Sequence, residues 1–349
     1  MTISQDPLDT TCRRNECAPA VFVAPRDDRP PAAVASGRET QVVRLLRVFM
    51  THDVDWGTIT MGFTRFAQND LARLSYELTA STSGPEAPTV VLLHATLGER
   101  SSLSPLREEL SDRFQVVQPD ARGHGGSSAL TDRSFTVTDM ANDLYAVLEA
   151  LDLTGESAQP VHLVGHGQGA IAALELARRR PDLVASLVLM EPDAVALLDG
   201  ELDDEIAQAR TDARASAREA ADAAYKELSD KALRVYLDRR WGSGWESRLA
   251  KPRLAALRRH VAALSPSLDA LDRYQLLPEE LAEVTVPTLI VVAATSPVAE
   301  RAIAQRLAAT IPGASQRVVT TLPGGAPLTG SGEVAIAVIA EWLDKAASS

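Results

Sequence analysis

Residues 161–170, Val-His-Leu-Val-Gly-His-Gly-Gln-Gly-Ala, constrain the fold more than any other stretch of the chain. An apolar, β-branched run ends at Gly165. Ile171-Ala172-Ala173-Leu174-Glu175-Leu176 then opens a strong helix-forming segment. The frame is strand, sharp turn, helix. A strand with no polar alternation must be covered on both faces, so the unit belongs inside a sheet flanked by helices.

The flanking sequence supplies that sheet. Residues 89–93 and 187–190 are apolar runs of strand length, and residues 114–117 form another that ends at Pro119-Asp120. Leu103, Leu106 and Leu110 mark a short helix face. Thr136 with Asp139 forms a capping pair, and Val137, Met140, Leu144, Leu148 and Leu151 continue it at helical spacing. Residues 59–66 and 72–78 alternate as a hairpin turning near residues 68–70. Strands and helices alternating in this order predict an α/β fold with a mostly parallel, doubly wound sheet. The alternation stops near Glu191 and resumes at Val286-Pro287-Thr288-Leu289. Residues 194–283 between them read as helical, with Ile206, Ala209, Ala213, Ala217, Ala220 and Ala224 on one stripe. A helix over 300–309, a strand over 316–320 and a helix over 333–343 complete the pattern. The expected organisation is a core of residues 58–193 and 284–349, with residues 194–283 inserted as a helical lid. Residues 1–57 are expected to be a disordered or mis-started extension, since they lack periodicity and both Met50 and Met61 precede domain-like sequence.

A net charge of −12 argues against nucleic-acid or anionic-membrane partners. No run of apolar residues is long enough to span a bilayer. The two cysteines, Cys12 and Cys17, have no second pair or nearby histidine to complete a metal site. Free thiols suit a cytoplasmic location. No metal and no cofactor are expected.

Several motifs together resemble the α/β-hydrolase fold superfamily. His94-Ala95-Thr96-Leu97-Gly98 is similar to its oxyanion loop. Asp120-Ala121-Arg122-Gly123-His124-Gly125-Gly126-Ser127 resembles its D-x-R-G-H-G-x-S turn. Gly165 to Gly169 matches the nucleophile elbow, where a serine would normally sit. The resemblance implies a serine at the elbow, an acid after residues 286–293 and a histidine after the last strand. Here the nucleophile position is Gly167. The acid region offers Thr295 and Ser296, and the base region reads Gly324, Gly325 and Ala326. The last histidine in the chain is His260. An elbow turn holds its tip residue at positive φ, which glycine adopts without penalty.

The resemblance also implies pocket residues: Thr96 and Gln168 as oxyanion N–H donors, with His94 and Ala95 beside them. Glu191 and Asp193 follow the next strand, and Trp241 and Trp245 of the lid either line the pocket or pack the lid onto the core. Loss of all three triad positions leads to the expectation of a non-hydrolytic pseudoenzyme that binds a small molecule or a protein partner. A cofactor-free lyase, isomerase or cyclase using the retained oxyanion loop is the alternative. A hydrolase with a relocated triad is the third reading.

Overall fold

The structure, a computed structural model, describes residues 63–69, 72–128, 134–319 and 332–348. The chain divides into Met1–Arg38 and Glu39–Ser349, and every described residue lies in the second unit. The expectations for residues 1–57, for both cysteines and for residues 324–326 lie outside the described residues.

The apolar runs form one eight-stranded sheet. In chain order its strands are β1 (Phe63–Gln68), β2 (Arg73–Thr79), β3 (Thr89–Leu93), β4 (Gln115–Pro119), β5 (Val161–His166), β6 (Val184–Met190), β7 (Thr288–Ala293) and β8 (Ser315–Val319). The spatial order is β1-β2-β4-β3-β5-β6-β7-β8. The β1–β2 and β2–β4 pairs are antiparallel, and all others are parallel. β5 sits near the middle with every residue buried, which explains its lack of polar alternation.

Alternate residues of the central strands feed two separate cores. Val91, Leu93, Leu163, Leu187 and Ile290 pack beneath α2 (Val137–Ala150), α3 (Gln168–Arg179) and α9 (Val298–Thr310). Val90, Leu92, Val164, Val188 and Val291 face α1 (Ser104–Leu110) and α10 (Glu333–Ala347). The Thr136 cap is present: its hydroxyl accepts from the Asp139 N–H, and the Asp139 carboxylate accepts from the Thr136 N–H.

Between β6 and β7 the chain is helical, with its own apolar centre around Leu233, Leu237, Trp245, Leu257 and Leu264. It contains α4 (Asp204–Tyr225), α5 (Ser229–Trp241), α6 (Lys251–Arg259), α7 (Val261–Asp272) and α8 (Pro278–Ala282). α6 and α7 are separated at His260. Lys231 pairs with Glu219 at 3.0 Å, and Glu227 takes positive φ just past the end of α4.

The β5–α3 turn packs with almost no clearance. A Cβ on Gly169 would lie 2.6 Å from the Leu93 carbonyl oxygen and 2.8 Å from that of His94. Glycine there lets α3 start directly against the end of β3. This close approach brings the α3 N-terminus and the 94–98 loop together.

Candidate active site

The tip of β5 borders a cavity. Gly167, Ala95 and Thr96 come from the two loops at the strand ends. Glu191 and Asp193 enter from the segment after β6, and Ser296 from the segment after β7. The C-terminal half of α5 supplies Tyr236, Arg240 and Trp241. Seven residues singled out from sequence therefore meet here: Ala95, Thr96, Gly167, Glu191, Asp193, Trp241 and Ser296.

Gly167 takes φ +56°, as the turn demands. A Cβ built there would lie 3.1 Å from the Asp193 Oδ2 and 3.1 Å from the Ala95 Cβ. Asp193 Oδ2 thus lies against the elbow, nearer than a side chain there would ordinarily tolerate. The other Asp193 oxygen accepts from Arg240 Nη2 at 2.7 Å, and the Arg240 guanidinium lies 4.1 Å from the Tyr236 ring centre. Burial works against the charge of Arg240, but Tyr236, Asp193 and Glu300 outweigh it and its pKa is raised. Tyr236 is pushed up to about 12, by burial above all and against the pull of Arg240, so it stays a neutral phenol. Arg239 forms a second ion pair, with Glu300.

A second group lies beside this one. Ser296 Oγ donates to Glu191 Oε1 at 2.5 Å, and His166 Nε2 is 3.6 Å from Glu191 Oε2. Glu191 takes φ +41°, a strained conformation for a residue with a Cβ. Its N–H bonds the Val291 carbonyl at 2.9 Å, which ties the turn to the sheet and carries Asp193 over Gly167.

As the first residue of α3, Gln168 offers an N–H outside the helix's own hydrogen bonding. The Thr96 N–H likewise takes no backbone partner among the described residues. The N–H groups of Thr96 and Gln168 therefore have no backbone partner among the described residues.

Other expected site residues lie elsewhere. Thr295 is exposed and does not line the cavity. Trp245 is buried inside the helical insert, donates to Asp238 at 3.0 Å and meets Trp241 edge-on; of the two rings only Trp241 lines the cavity. Gln168 lines a different, apolar cavity. His94 is structural: Nδ1–H donates to the Ala95 carbonyl at 2.9 Å, and Nε2 accepts from the Ala121 N–H at 2.9 Å. Both nitrogens are committed, and burial lowers its pKa to about 4. Two contributors, Tyr236 and Arg240, were not foreseen. The adjacent Arg239-Arg240-Trp241 at the end of a helix was the available signal.

A sequence profile of the alpha/beta hydrolase fold matches residues 88–326. The chain belongs to this family. Among its α/β-hydrolase relatives, a protein named as a carbamate hydrolase, RutD, from Caulobacter segnis is 29% identical over 236 residues, spanning 64% of this chain and 80% of that one. A pimeloyl-[acyl-carrier protein] methyl ester esterase from Methylococcus capsulatus is 41% identical over 31% of this chain and 38% of its own. The mouse sn-1-specific diacylglycerol lipase ABHD11 is 34% identical over 32% of this chain and 35% of its own. The last two matches thus span little more than a third of those relatives. Among solved structures, the enol-lactonase from Burkholderia xenovorans superposes with a TM-score of 0.62 at 20% identity, covering 80% of this chain and all of that one. That likeness shows the fold. The names of the sequence relatives overturn the pseudoenzyme expectation: they are hydrolases and esterases, and they point to hydrolysis. The inference from triad loss failed because it tested only the positions where the family places its nucleophile, acid and base.

No helix among the described residues is long and apolar enough to cross a membrane.

Proposed function

We propose that this α/β-hydrolase fold protein hydrolyses a carbonyl substrate of the ester or carbamate class by direct attack of water, without an acyl-enzyme. The observation that carries this reading is the Asp193 Oδ2 placed 3.1 Å from where a Gly167 Cβ would stand. A serine at an elbow needs a base to take its proton. Here the carboxylate lies against the turn, and glycine leaves no side chain between it and a water in the cavity.

The chemistry balances without a covalent intermediate. Water attacks the carbonyl carbon while its proton passes to Asp193 Oδ2. The N–H groups of Thr96 and Gln168 take the developing oxyanion, each such donor being typically worth about 2.7–4 kcal/mol. Collapse of the tetrahedral species expels the alcohol or amine, which leaves with the proton held by Asp193. Arg240 fixes the carboxylate through its other oxygen. Tyr236, Arg240 and Trp241 reach the cavity from the inserted helices, so we assign those helices the role of a lid. The relatives' names support the ester and carbamate classes.

The test is turnover of p-nitrophenyl acetate, p-nitrophenyl butyrate and an aryl carbamate by the purified protein, beside Gly167→Ser. Turnover by the wild type is expected. The serine fills the water's space and holds positive φ, so the variant should lose at least tenfold in kcat and about 1–3 kcal/mol of stability. A silent wild type across the panel, or a variant faster than wild type, overturns the reading.

A further inference from the structure

The 94–98 loop after β3 closes as a turn. The Gly98 N–H donates to the Ala95 carbonyl at 2.8 Å, which puts Thr96 and Leu97 at the two central positions. Leu97 takes φ +64°. A turn with positive φ at its third residue ordinarily has glycine or asparagine there, and leucine is strained in it. Asp152 and Glu227 also take positive φ, but each stands two residues past a helix end, where that conformation is ordinary. Leu97 has no such cause.

What holds Leu97 comes from the inserted helices. The residue is 1% exposed and belongs to the insert's apolar cluster, with Leu257, Val261 and Leu264. Among the described residues it is the one buried member of that cluster from outside the insert. Its carbonyl accepts from His260 Nδ1 at 3.3 Å. His260 Nε2 in turn accepts from the Gly125 N–H at 3.1 Å. The partners dictate the tautomer, because a carbonyl only accepts and an N–H only donates. His260, buried where α6 meets α7, therefore ties the insert to the 94–98 loop and to the 120–127 turn at once. Arg259 adds an ion pair to Glu99 at 3.3 Å, which contributes little because the arginine is exposed.

We infer that docking of the inserted helices sets the conformation of the 94–98 loop, with Leu97 as the anchor and His260 as a positioning residue. Closing the lid and presenting the Thr96 N–H are then one event. The strain at Leu97 has to be offset by contacts, and those contacts lie in the insert. When the insert moves away, the Leu97 side chain loses its burial and its carbonyl loses its donor. The turn then relaxes, and the Thr96 N–H, one residue earlier in it, leaves its place. The task of that N–H rests on the hydrolytic reading, whereas the dependence of the loop on the insert does not.

The experiment reads the loop and the chemistry separately. Hydrogen exchange of the Gly98 amide is followed by NMR in the full-length protein, beside kcat and KM for p-nitrophenyl acetate. His260→Ala and Leu97→Gly are compared with Tyr274→Phe. The last removes a different bond between insert and core, the one from Tyr274 Oη to Glu175 at 2.6 Å. In the first two variants Gly98 is expected to exchange at least tenfold faster. Their kcat should fall at least tenfold with KM within threefold, part of the roughly 10²–10³-fold that losing one oxyanion donor typically costs. Tyr274→Phe should change neither by more than twofold. Leu97→Gly is the sharper variant, because glycine takes positive φ freely: a turn that merely tolerates leucine would exchange more slowly with glycine. Exchange unchanged or slower in both variants, equal acceleration in Tyr274→Phe, or faster exchange with wild-type kcat overturns the inference. Faster exchange in a protein with no turnover in any form supports the tie between insert and loop and overturns the hydrolytic reading alone.

Discussion

Asp193→Asn is expected to lower kcat by about 10²–10⁴-fold, the usual contribution of a positioned general base. The side chain keeps its shape, and its carbonyl oxygen can still accept from Arg240, so substrate binding and KM should change by less than threefold. The loss arises because an amide cannot take a proton from water. Breaking a buried ion pair has its own cost, often about 3–5 kcal/mol when one partner is removed outright. The isosteric amide keeps the hydrogen bond and should cost less. Urea unfolding of the variant therefore accompanies the kinetics. A folded Asp193→Asn protein with wild-type kcat removes Asp193 from the reaction. A loss confined to KM assigns it to binding.

The second large effect is acid instability. Three histidine rings stack where the inserted helices meet the core: His94 to His124, and His124 to His260, with ring centres 5.2 Å apart in each pair. Burial lowers His94 to about 4 and His124 to about 3, and His260 is also lowered. Each ring repels charge on its neighbours. Glu99 and Asp120 pull the other way, while Arg253 and Arg259 add repulsion. In the folded state these imidazoles are neutral, whereas unfolded ones take protons below about 6.5. The folded state then binds fewer protons than the unfolded one, so stability rises with pH in this window. It is complete above about pH 6.5 and falls progressively toward pH 4. At about 1.4 kcal/mol per unit and group, several kcal/mol are lost, a large share of a typical domain's ~5–15. A Tm at least about 10 °C lower at pH 4.5 than at pH 7.5 is expected. His124 Nε2 has no partner among the described residues, so His124→Phe removes one titrating ring while sacrificing only the Nδ1–H bond to Arg122. That variant should show a smaller drop. A Tm that is flat over this range, or the same drop in the variant, contradicts the account.

The fold was readable because its information is local. Strands β3, β5, β6 and β7 are unbroken apolar runs, the Thr136 cap has its acidic partner three residues on, and the elbow glycines announce the turn. The inserted helices were readable as helices, and Gly242-Ser243-Gly244 marks the break after Trp241, but the break at His260 has no glycine or proline beside it. The site was only partly readable. Glu191 and Asp193 were singled out, yet a carboxylate with no histidine seemed to have nothing to orient. What changes its meaning is position. The positive φ at Glu191 swings Asp193 over Gly167, and Arg240, 47 residues away, clamps it there. No spacing rule in the sequence encodes that meeting. The elbow glycine was likewise read as the relic of a missing serine, whereas it also lets Asp193 Oδ2 come within 3.1 Å of where a Cβ would stand.

Direct attack by water leaves the protein chemically unchanged, and mass analysis reads that most directly. The enzyme is acid-quenched while turning over a p-nitrophenyl ester in H₂¹⁸O, then weighed intact and as peptides. The account predicts the unmodified, unlabelled chain, with the ¹⁸O in the product acid. A chain heavier by the acyl group, or ¹⁸O in the peptide that carries Asp193, would mean a covalent intermediate and would contradict it.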